Sequence, residues 1–384
     1  MFAERTQWNL GANRLAEALA RHRAGGRKLL DLSASNPTEC GFRYQGSTIL
    51  KGLIHPGALH YRPEPHGLQS AREAVRDYYA ARGNKVAVED IILTAGTSEA
   101  YSFVFRLLCN PGDELLVPAP SYPLFEFLAD IQDVKLVRYP LFYDHGWHID
   151  VHALEQALTE RTRGVIVVHP NNPTGHFTKP AEMDRLLQIG LARGMATVAD
   201  EVFLDFSWEG KPPSFAGNLG ALTFTMSGLS KISGLPQMKL AWLVVSGPPE
   251  LKREALARLE VIADTYLSAS TPIQLAARVL LEQRHGFQEQ LMARVRANLA
   301  VLDEHLAAQK NCSRLQVEGG WYAVLRVPAT RPDEDLAVEL LEKCDVYLHP
   351  GRFFGFSGDG YLVVSLITPE REFKEGIRRI IAYL

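Results

Sequence analysis

The sequence predicts an α/β fold in which a mostly parallel sheet of seven strands is flanked by helices, together with a smaller α+β domain. From residue 90 onward, short apolar runs alternate with longer segments of helical period, a pattern typical of such a sheet. At 384 residues the chain exceeds the roughly 250 to 300 residues at which one hydrophobic core usually stops growing, so two domains are expected. The pattern becomes helical after Pro248 and mixed towards the C-terminus, which predicts the second domain there.

Each strand of the sheet is predicted from an apolar run bounded by turn residues. The seven runs cover residues 90–95, 114–117, 134–139, 164–168, 196–199, 222–226 and 240–246. The helix after the first run has Ala100, Val104 and Leu108 at four-residue spacing, which indicates one buried face. Long helical segments are predicted up to Tyr266 and from 273 to 309.

These patterns divide the chain into three segments. Residues 1–40, with a helix at 14–24 and a short strand at 29–32, are predicted to join the small domain. Residues 41–265 form the predicted large domain and residues 266–384 the small one. Strands and helices of the small domain are predicted at 321–327, 333–343, 361–365 and 370–383.

Composition excludes several classes of partner. A net charge of −3 provides no basic surface for nucleic acid or anionic membranes, which favours small-molecule partners. The four cysteines lie far apart without metal-site spacing, which argues against zinc and for a reducing compartment. Charged residues interrupt the N-terminus and no apolar run of about 18 residues occurs. We therefore expect a cytoplasmic protein without a metal site.

Ligands of open α/β sheets bind outside the carboxyl ends of the strands, so the polar residues that follow each apolar run are candidate site residues. Gly96, Thr97 and Ser98 link the first strand to a helix, where backbone N–H groups favour an anion such as phosphate. A simple helix cap by Thr97 or Ser98 is the alternative. Asn172 begins an Asn-Pro-Thr-Gly run that is either a turn or part of a site.

Asp200 and Lys231 follow two further strands. A carboxylate at a buried strand end is costly without a positive partner, so Asp200 suggests a cationic ligand atom, with a surface carboxylate as the alternative. Lys231 follows a Ser-Gly-Leu-Ser run at a sheet end, where its amine could form a Schiff base. Taken alone it would be a solvated surface charge.

Together these motifs resemble those of class I/II aminotransferases, a family of fold-type I pyridoxal-phosphate enzymes. The resemblance covers about residues 30 to 380 and keeps the family's order. The matching motifs are Gly-Thr-Ser (96–98), Pro-Ser-Tyr-Pro (120–123), Asn-Pro-Thr-Gly (172–175), Asp-Glu-Val (200–202) and Ser-x-x-Ser-Lys (227–231). Further matches are Tyr61, Gly67, Gly-Gly-Trp-Tyr (319–322), Pro350-Gly351 and Phe354-Gly355.

The resemblance implies a role for each matching residue. Lys231 would hold pyridoxal phosphate as a Schiff base and, once released, move the proton between the substrate's Cα and the cofactor. Asp200 would keep the cofactor's ring nitrogen protonated, Asn172 would hydrogen-bond its phenolic oxygen, and Tyr122 would stack on its ring. The phosphate would lie among Gly96, Thr97, Ser98, Ser227 or Ser230, and Tyr61 of a second subunit, which implies a homodimer.

Three positions depart from the family pattern. Phe203 stands where a tyrosine usually donates to the phenolic oxygen, and Lys239 stands where an arginine usually clamps the phosphate, so the clamp becomes a point charge. Val363 stands where an arginine usually grips the substrate's α-carboxylate. Ser35, in the loop 33–38, and Arg352 are the candidate substrate-binding residues that remain, although Arg352 could equally be a solvated surface residue.

The leading hypothesis is an aminotransferase that moves an amino group between an amino acid or amine and a 2-oxo acid. Because Val363 replaces the usual arginine, the alternative is a pyridoxal-phosphate lyase or decarboxylase on the same scaffold. A third possibility is an effector-sensing module of a transcription regulator. It is disfavoured because only about 30 residues precede the fold and the net charge is negative.

The Phe203 departure predicts a spectroscopic change. Without a phenol donor the deprotonated Schiff base loses one stabilising hydrogen bond, so its pKa should be higher than is usual for the family. We expect Phe203→Tyr to lower that pKa. Titration of the absorbance of the wild-type and variant holoenzymes measures it, and identical curves would show that the residue does not tune the cofactor.

Overall fold

The computed structural model describes residues 1–267 and 269–384. We propose that it comprises a large domain built on one eight-stranded sheet and a small C-terminal domain built on a four-stranded sheet. Its helices are α1 (Arg14–Ala24), α2 (Gly46–Gly52), α3 (Gln69–Ala81), α4 (Thr97–Leu108), α5 (Phe125–Asp130), α6 (Val151–Gln156), α7 (Pro180–Arg193), α8 (Leu229–Ile232), α9 (Pro249–Tyr266), α10 (Thr271–Glu282), α11 (Arg284–Ala307), α12 (Asp333–Cys344) and α13 (Glu370–Tyr383).

The strands form one large and two small sheets. They are β1 (Leu30–Asp31), β2 (Ile91–Thr94), β3 (Glu114–Ala119), β4 (Lys135–Tyr143), β5 (Trp147–Ile149), β6 (Thr162–Val168), β7 (Ala196–Asp200), β8 (Thr223–Gly228), β9 (Ala241–Ser246), β10 (Ser313–Arg314), β11 (Tyr322–Arg326), β12 (Val346–Tyr347), β13 (His349–Pro350) and β14 (Tyr361–Ser365).

The large sheet has the strand order β2-β9-β8-β7-β6-β3-β4-β5. The pairs β8·β7, β7·β6, β6·β3 and β3·β4 are parallel, whereas β9 and β5 run antiparallel to their neighbours. The predicted α/β class and mostly parallel sheet are thus confirmed. Because the central strands share one direction, the segments that follow β6, β7 and β8 all leave the same edge of the sheet.

The predicted number of seven strands is wrong, since the sheet has eight. The additional strand, β5, is three residues long and pairs with the end of β4 after a tight turn through His145 and Gly146, both at positive φ. A run this short has no measurable periodicity of its own. It becomes a strand because β4 extends to Tyr143 and offers it a partner.

The single helical segment predicted from 273 to 309 is also wrong, because it consists of two helices that meet at Gln283. Helix α10 packs against α3 of the large domain, whereas α11 packs against α13 of the small domain. Each helix has its own apolar partner surface, since α10 contributes to one hydrophobic cluster and α11 to another. We therefore propose that the boundary between the domains lies near Gln283 and not at residue 266.

The small domain combines a four-stranded antiparallel sheet, in the order β10-β11-β14-β13, with helices α11, α12 and α13. The N-terminal segment packs on this domain: β1 pairs in parallel with β12, and α1 contacts α12. All four cysteines are free thiols. Among the described residues, the helices include none that is both long and apolar enough to cross a membrane.

Candidate active site

One cavity of about 170 Å³ lies at the carboxyl edge of the large sheet and is lined by residues from both domains. It brings together eight of the residues predicted from the sequence: Ser35, Thr97, Tyr122, Asn172, Asp200, Phe203, Ser230 and Lys231. Val168, Val202, Gly228, Ala241 and Tyr322 complete its lining. The small domain contributes Tyr322 at the start of β11, so the cavity lies where the two domains meet.

Lys231 follows the end of β8 on the short helix α8. Its Nζ atom lies 5.6 Å from the centre of the Phe203 ring and 5.0 Å from that of Trp321, so aromatic faces surround the amine. Burial lowers the pKa of the Lys231 ammonium to about 8, although the Asp200 carboxylate acts in the opposite direction. An appreciable fraction of the amine is therefore neutral at physiological pH and can act as a nucleophile or base.

Asp200 is the last residue of β7 and is 7% exposed. One carboxylate oxygen accepts a hydrogen bond from the Val202 N–H at 3.1 Å, and the other accepts one from the Tyr101 hydroxyl at 2.9 Å. Burial raises the pKa of Asp200, while these two donors and Lys231 lower it. Tyr101 was not among the site residues predicted from the sequence. It lies one helical turn after Thr97 on α4, and this spacing could have indicated that both residues share a face.

The neighbouring Glu201 has a different role. It is 1% exposed and accepts hydrogen bonds from the Ser214 hydroxyl and the Phe215 N–H, both at 2.6 Å. Burial raises the pKa of Glu201 to about 7. The Glu201 side chain anchors the loop around Phe215 and does not line the cavity, so Asp200 is the acid of this pair that faces the cavity.

The N-terminus of α4 borders the cavity through Thr97. Gly96 caps the helix without a side-chain hydrogen bond, so neither Thr97 nor Ser98 is used as a cap. A Cβ atom on Gly96 would lie 3.6 Å from the Nζ atom of Lys239, which places a cation beside this helix end. Exposed N–H groups, the Thr97 hydroxyl and this ammonium together suit an anion such as phosphate.

Several predicted residues lie outside the cavity lining. Ser227 donates to the Glu201 carbonyl oxygen at 3.3 Å, which ties its hydroxyl to the backbone. Ser98 is exposed at the surface of α4, and Tyr61 is 75% exposed. Arg352 lines an adjacent cavity that shares Tyr122 with the first, and its Nη1 atom lies 3.7 Å from Asp359.

Comparison with known proteins places these residues in a family. The family model described as aminotransferase class I and II matches residues 47–380. This chain belongs to that family. Its members use pyridoxal phosphate, as the sequence resemblance implied.

Individual relatives agree with this assignment. The glutamate-pyruvate aminotransferase AlaA of Escherichia coli K12 is 31% identical over 67% of this chain, and the match spans 64% of that relative, just under two thirds of its length. The enzyme of the same name from Haemophilus influenzae is 25% identical over 94% of this chain and 91% of its own. The crystal structure of an Escherichia coli aminotransferase superposes with a TM-score of 0.88 at 25% identity, covering 100% of this chain and 98% of that one.

The cavity fits the family's cofactor. The Oδ1 atom of Asn172 is buried without a hydrogen-bond partner in the described part of the chain, so this amide is available to a ligand. Asp200 offers a buried carboxylate, Lys231 a partly neutral amine, and the end of α4 with Lys239 an anion site. This donor set matches a phosphorylated pyridine aldehyde at both of its ends.

The low pKa of Lys231 predicts a distinctive labelling profile. In the protein without cofactor, an amine-reactive reagent should modify Lys231 at a rate that rises with pH and levels off, with a midpoint of about 8, because only the neutral amine reacts. Peptide mass spectrometry measures that rate. Asp200→Asn should move the midpoint lower, since the carboxylate raises this pKa, whereas the exposed Glu254→Gln should leave it in place. A midpoint near the ordinary lysine value of about 10.4 would contradict this picture.

Proposed function

We propose that this protein is a pyridoxal-phosphate-dependent aminotransferase that moves an amino group between an amino acid or amine and a 2-oxo acid. The observation that carries the proposal is the shared enclosure of Lys231 and Asp200 in one cavity at the carboxyl edge of the sheet. Pyridoxal phosphate supplies, when bound, an electron sink for the carbanion formed at the substrate's Cα.

The protein's part is to bind, orient and move protons. Lys231 would hold the cofactor through its amine, and the same amine, when free, would move the proton at the substrate's Cα. Burial, which lowers its pKa, leaves more of this amine neutral than in an exposed lysine and suits it to both roles. Asp200 is the partner of the ring nitrogen and Asn172 that of the phenolic oxygen. Tyr122 borders the ring, while Thr97, Ser230 and Lys239 hold the phosphate.

We propose a homodimer for this enzyme. The segment 50–61 exposes four large apolar side chains, namely Leu50 at 62%, Ile54 at 80%, Leu59 at 90% and Tyr61 at 75%. An apolar group of this kind favours burial against a partner surface. In such a dimer Tyr61 would complete the phosphate site of the second subunit, which accounts for its position outside the cavity of its own chain.

The α-carboxylate of an amino-acid substrate needs a partner other than the usual arginine. Val363 is 1% exposed in β14, with Val324 and His349 as its cross-strand neighbours. Among the described residues that line the cavity, Lys231 is the one lysine or arginine. We propose that Ser35 donates to the carboxylate within the cavity and that Arg352 approaches it from the adjacent cavity, past Tyr122.

The proposed reaction is tested by following the amino group. Mixing the holoenzyme with glutamate should convert the cofactor to pyridoxamine phosphate, and pyruvate should then restore it; this pair is the first choice because of the names of the relatives. Lys231→Ala should abolish the conversion, whereas Lys252→Ala, which removes a partly buried lysine paired with Asp90 outside the cavity, should not. A wider set of amino donors follows if glutamate is inert. Release of product without pyridoxamine phosphate would favour the lyase or decarboxylase alternative.

The assignment of Arg352 is tested by its removal. Arg352→Ala should raise KM for an α-amino acid about tenfold or more, because a charge-assisted hydrogen bond is lost. It should not change KM for an amine donor that lacks the carboxylate. Arg185→Ala is the matched control, since Arg185 is also an exposed arginine paired with an acid, Glu155. Equal KM values for wild type and Arg352→Ala would mean that the carboxylate is held elsewhere.

A further inference from the structure

The hydrogen bond between Tyr101 and Asp200 is a feature that the proposed roles leave unused. Tyr101 is 2% exposed, and its ring packs edge-on against Phe105 and Phe125 with centroid distances of 5.8 and 5.3 Å. These contacts fix the ring, and its hydroxyl donates to Asp200 at 2.9 Å. Burial and the neighbouring carboxylate raise the pKa of Tyr101 well above its ordinary value, so the phenol keeps its proton and remains a donor.

The two carboxylate oxygens of Asp200 are occupied differently. The oxygen that bonds the Val202 N–H has a backbone partner that every residue except proline would supply at that position. The other oxygen accepts a hydrogen bond from the Tyr101 hydroxyl. Within the described residues, this is the one hydrogen bond that Asp200 makes with another side chain. An ionised carboxylate has about four acceptor positions, so both bonds leave room for a ligand. Tyr101 thus orients the carboxylate without blocking it.

A donor on this carboxylate decides where one proton resides. When a pyridine nitrogen faces Asp200, a single proton lies between two bases, the carboxylate and the nitrogen. Burial in the cavity favours the uncharged arrangement, with the proton on the acid and a neutral ring. A hydrogen bond donated to the carboxylate favours the charged arrangement, with the proton on the nitrogen, and such bonds to charged groups are stronger than neutral ones.

We propose that Tyr101 is a positioning residue that keeps Asp200 ionised, so that the ring nitrogen of bound pyridoxal phosphate retains its proton. The inference rests on the proposed function only in requiring that this cofactor binds. The hydrogen bond that tunes the protonation of the cofactor ring then lies on the Asp200 side of the cavity. On the Lys231 side, Phe203 brings an apolar ring where a hydroxyl could have acted.

The test compares holoenzymes that carry a cofactor labelled with ¹⁵N at the ring nitrogen. In Tyr101→Phe the nitrogen resonance should move from the position of a protonated pyridinium towards that of a neutral pyridine. With a reactive amino donor, the rate constant of the half-reaction should fall about tenfold, the factor that corresponds to a lost hydrogen bond to a charged group, with little change in KM. A purely structural role would not move the nitrogen resonance.

Tyr139→Phe is the matched control. Tyr139 is 1% exposed on β4, and its hydroxyl donates to the Ile166 carbonyl oxygen at 2.9 Å. The replacement removes a buried, hydrogen-bonded hydroxyl from the large sheet. That hydroxyl bonds Ile166 and not Asp200. We expect the nitrogen resonance of this variant to equal that of the wild type. If Tyr101→Phe does not fold, Tyr101→Met also lacks the hydroxyl and should produce the same displacement.

An unmoved resonance in a Tyr101 variant that binds cofactor would overturn the proposal. So would an equal displacement in the Asp200→Asn background, because the effect must act through the carboxylate. The readout needs bound cofactor but no turnover. Absence of cofactor binding, or of pyridoxamine phosphate in the wild type, would instead contradict the proposed function, so the two failures are distinguishable.

Discussion

The structure of the site depends on the enclosure of two ionisable groups, Lys231 and Asp200, in one cavity. Removing such groups from water is costly unless hydrogen bonds or opposite charges compensate. Asp200 has the Val202 N–H and the Tyr101 hydroxyl, while Lys231 has two aromatic faces and the field of Asp200. The compensation is partial, since burial lowers the pKa of one group and raises that of the other. A ligand that bonds both groups would complete it.

The large sheet explains how residues distant in sequence reach this cavity. Strands β6, β7 and β8 are parallel neighbours. Asn172 follows β6, Asp200 is the last residue of β7, and Lys231 follows β8. A polar residue that ends or follows an apolar run is therefore expected to lie at the carboxyl edge of the sheet. This rule is why the clustering of most candidate residues could be predicted from the sequence. The α/β class was predicted from the alternation of apolar and helical segments, and the family from the resemblance of its motifs.

The features that were not predicted arise from contacts between distant segments. Strand β5 exists because β4 offers it a partner, and the helical segment breaks at Gln283 because its two halves pack on different domains. The bond of Tyr101 to Asp200 depends on how α4 is rotated against β7, which periodicity alone does not fix. Ser227 was predicted as a candidate phosphate ligand because it belongs to the matching motif, but its hydroxyl donates to the Glu201 carbonyl oxygen. Local patterns define elements, whereas these details depend on how the elements pack.

The small domain has a valine, Val363, where the resemblance to the family led us to expect an arginine. Val363 lies in the apolar core, between Val324 and His349, where the guanidinium of an arginine would need polar partners. Two residues later, Ser365 donates two hydrogen bonds to the N-terminal segment: its N–H donates to the Leu32 carbonyl oxygen and its hydroxyl donates to the Ala34 carbonyl oxygen. Strand β14 thus fixes the segment that carries Ser35 into the cavity. In this chain β14 supports the loop that carries Ser35, and it does so through the N–H and the hydroxyl of Ser365.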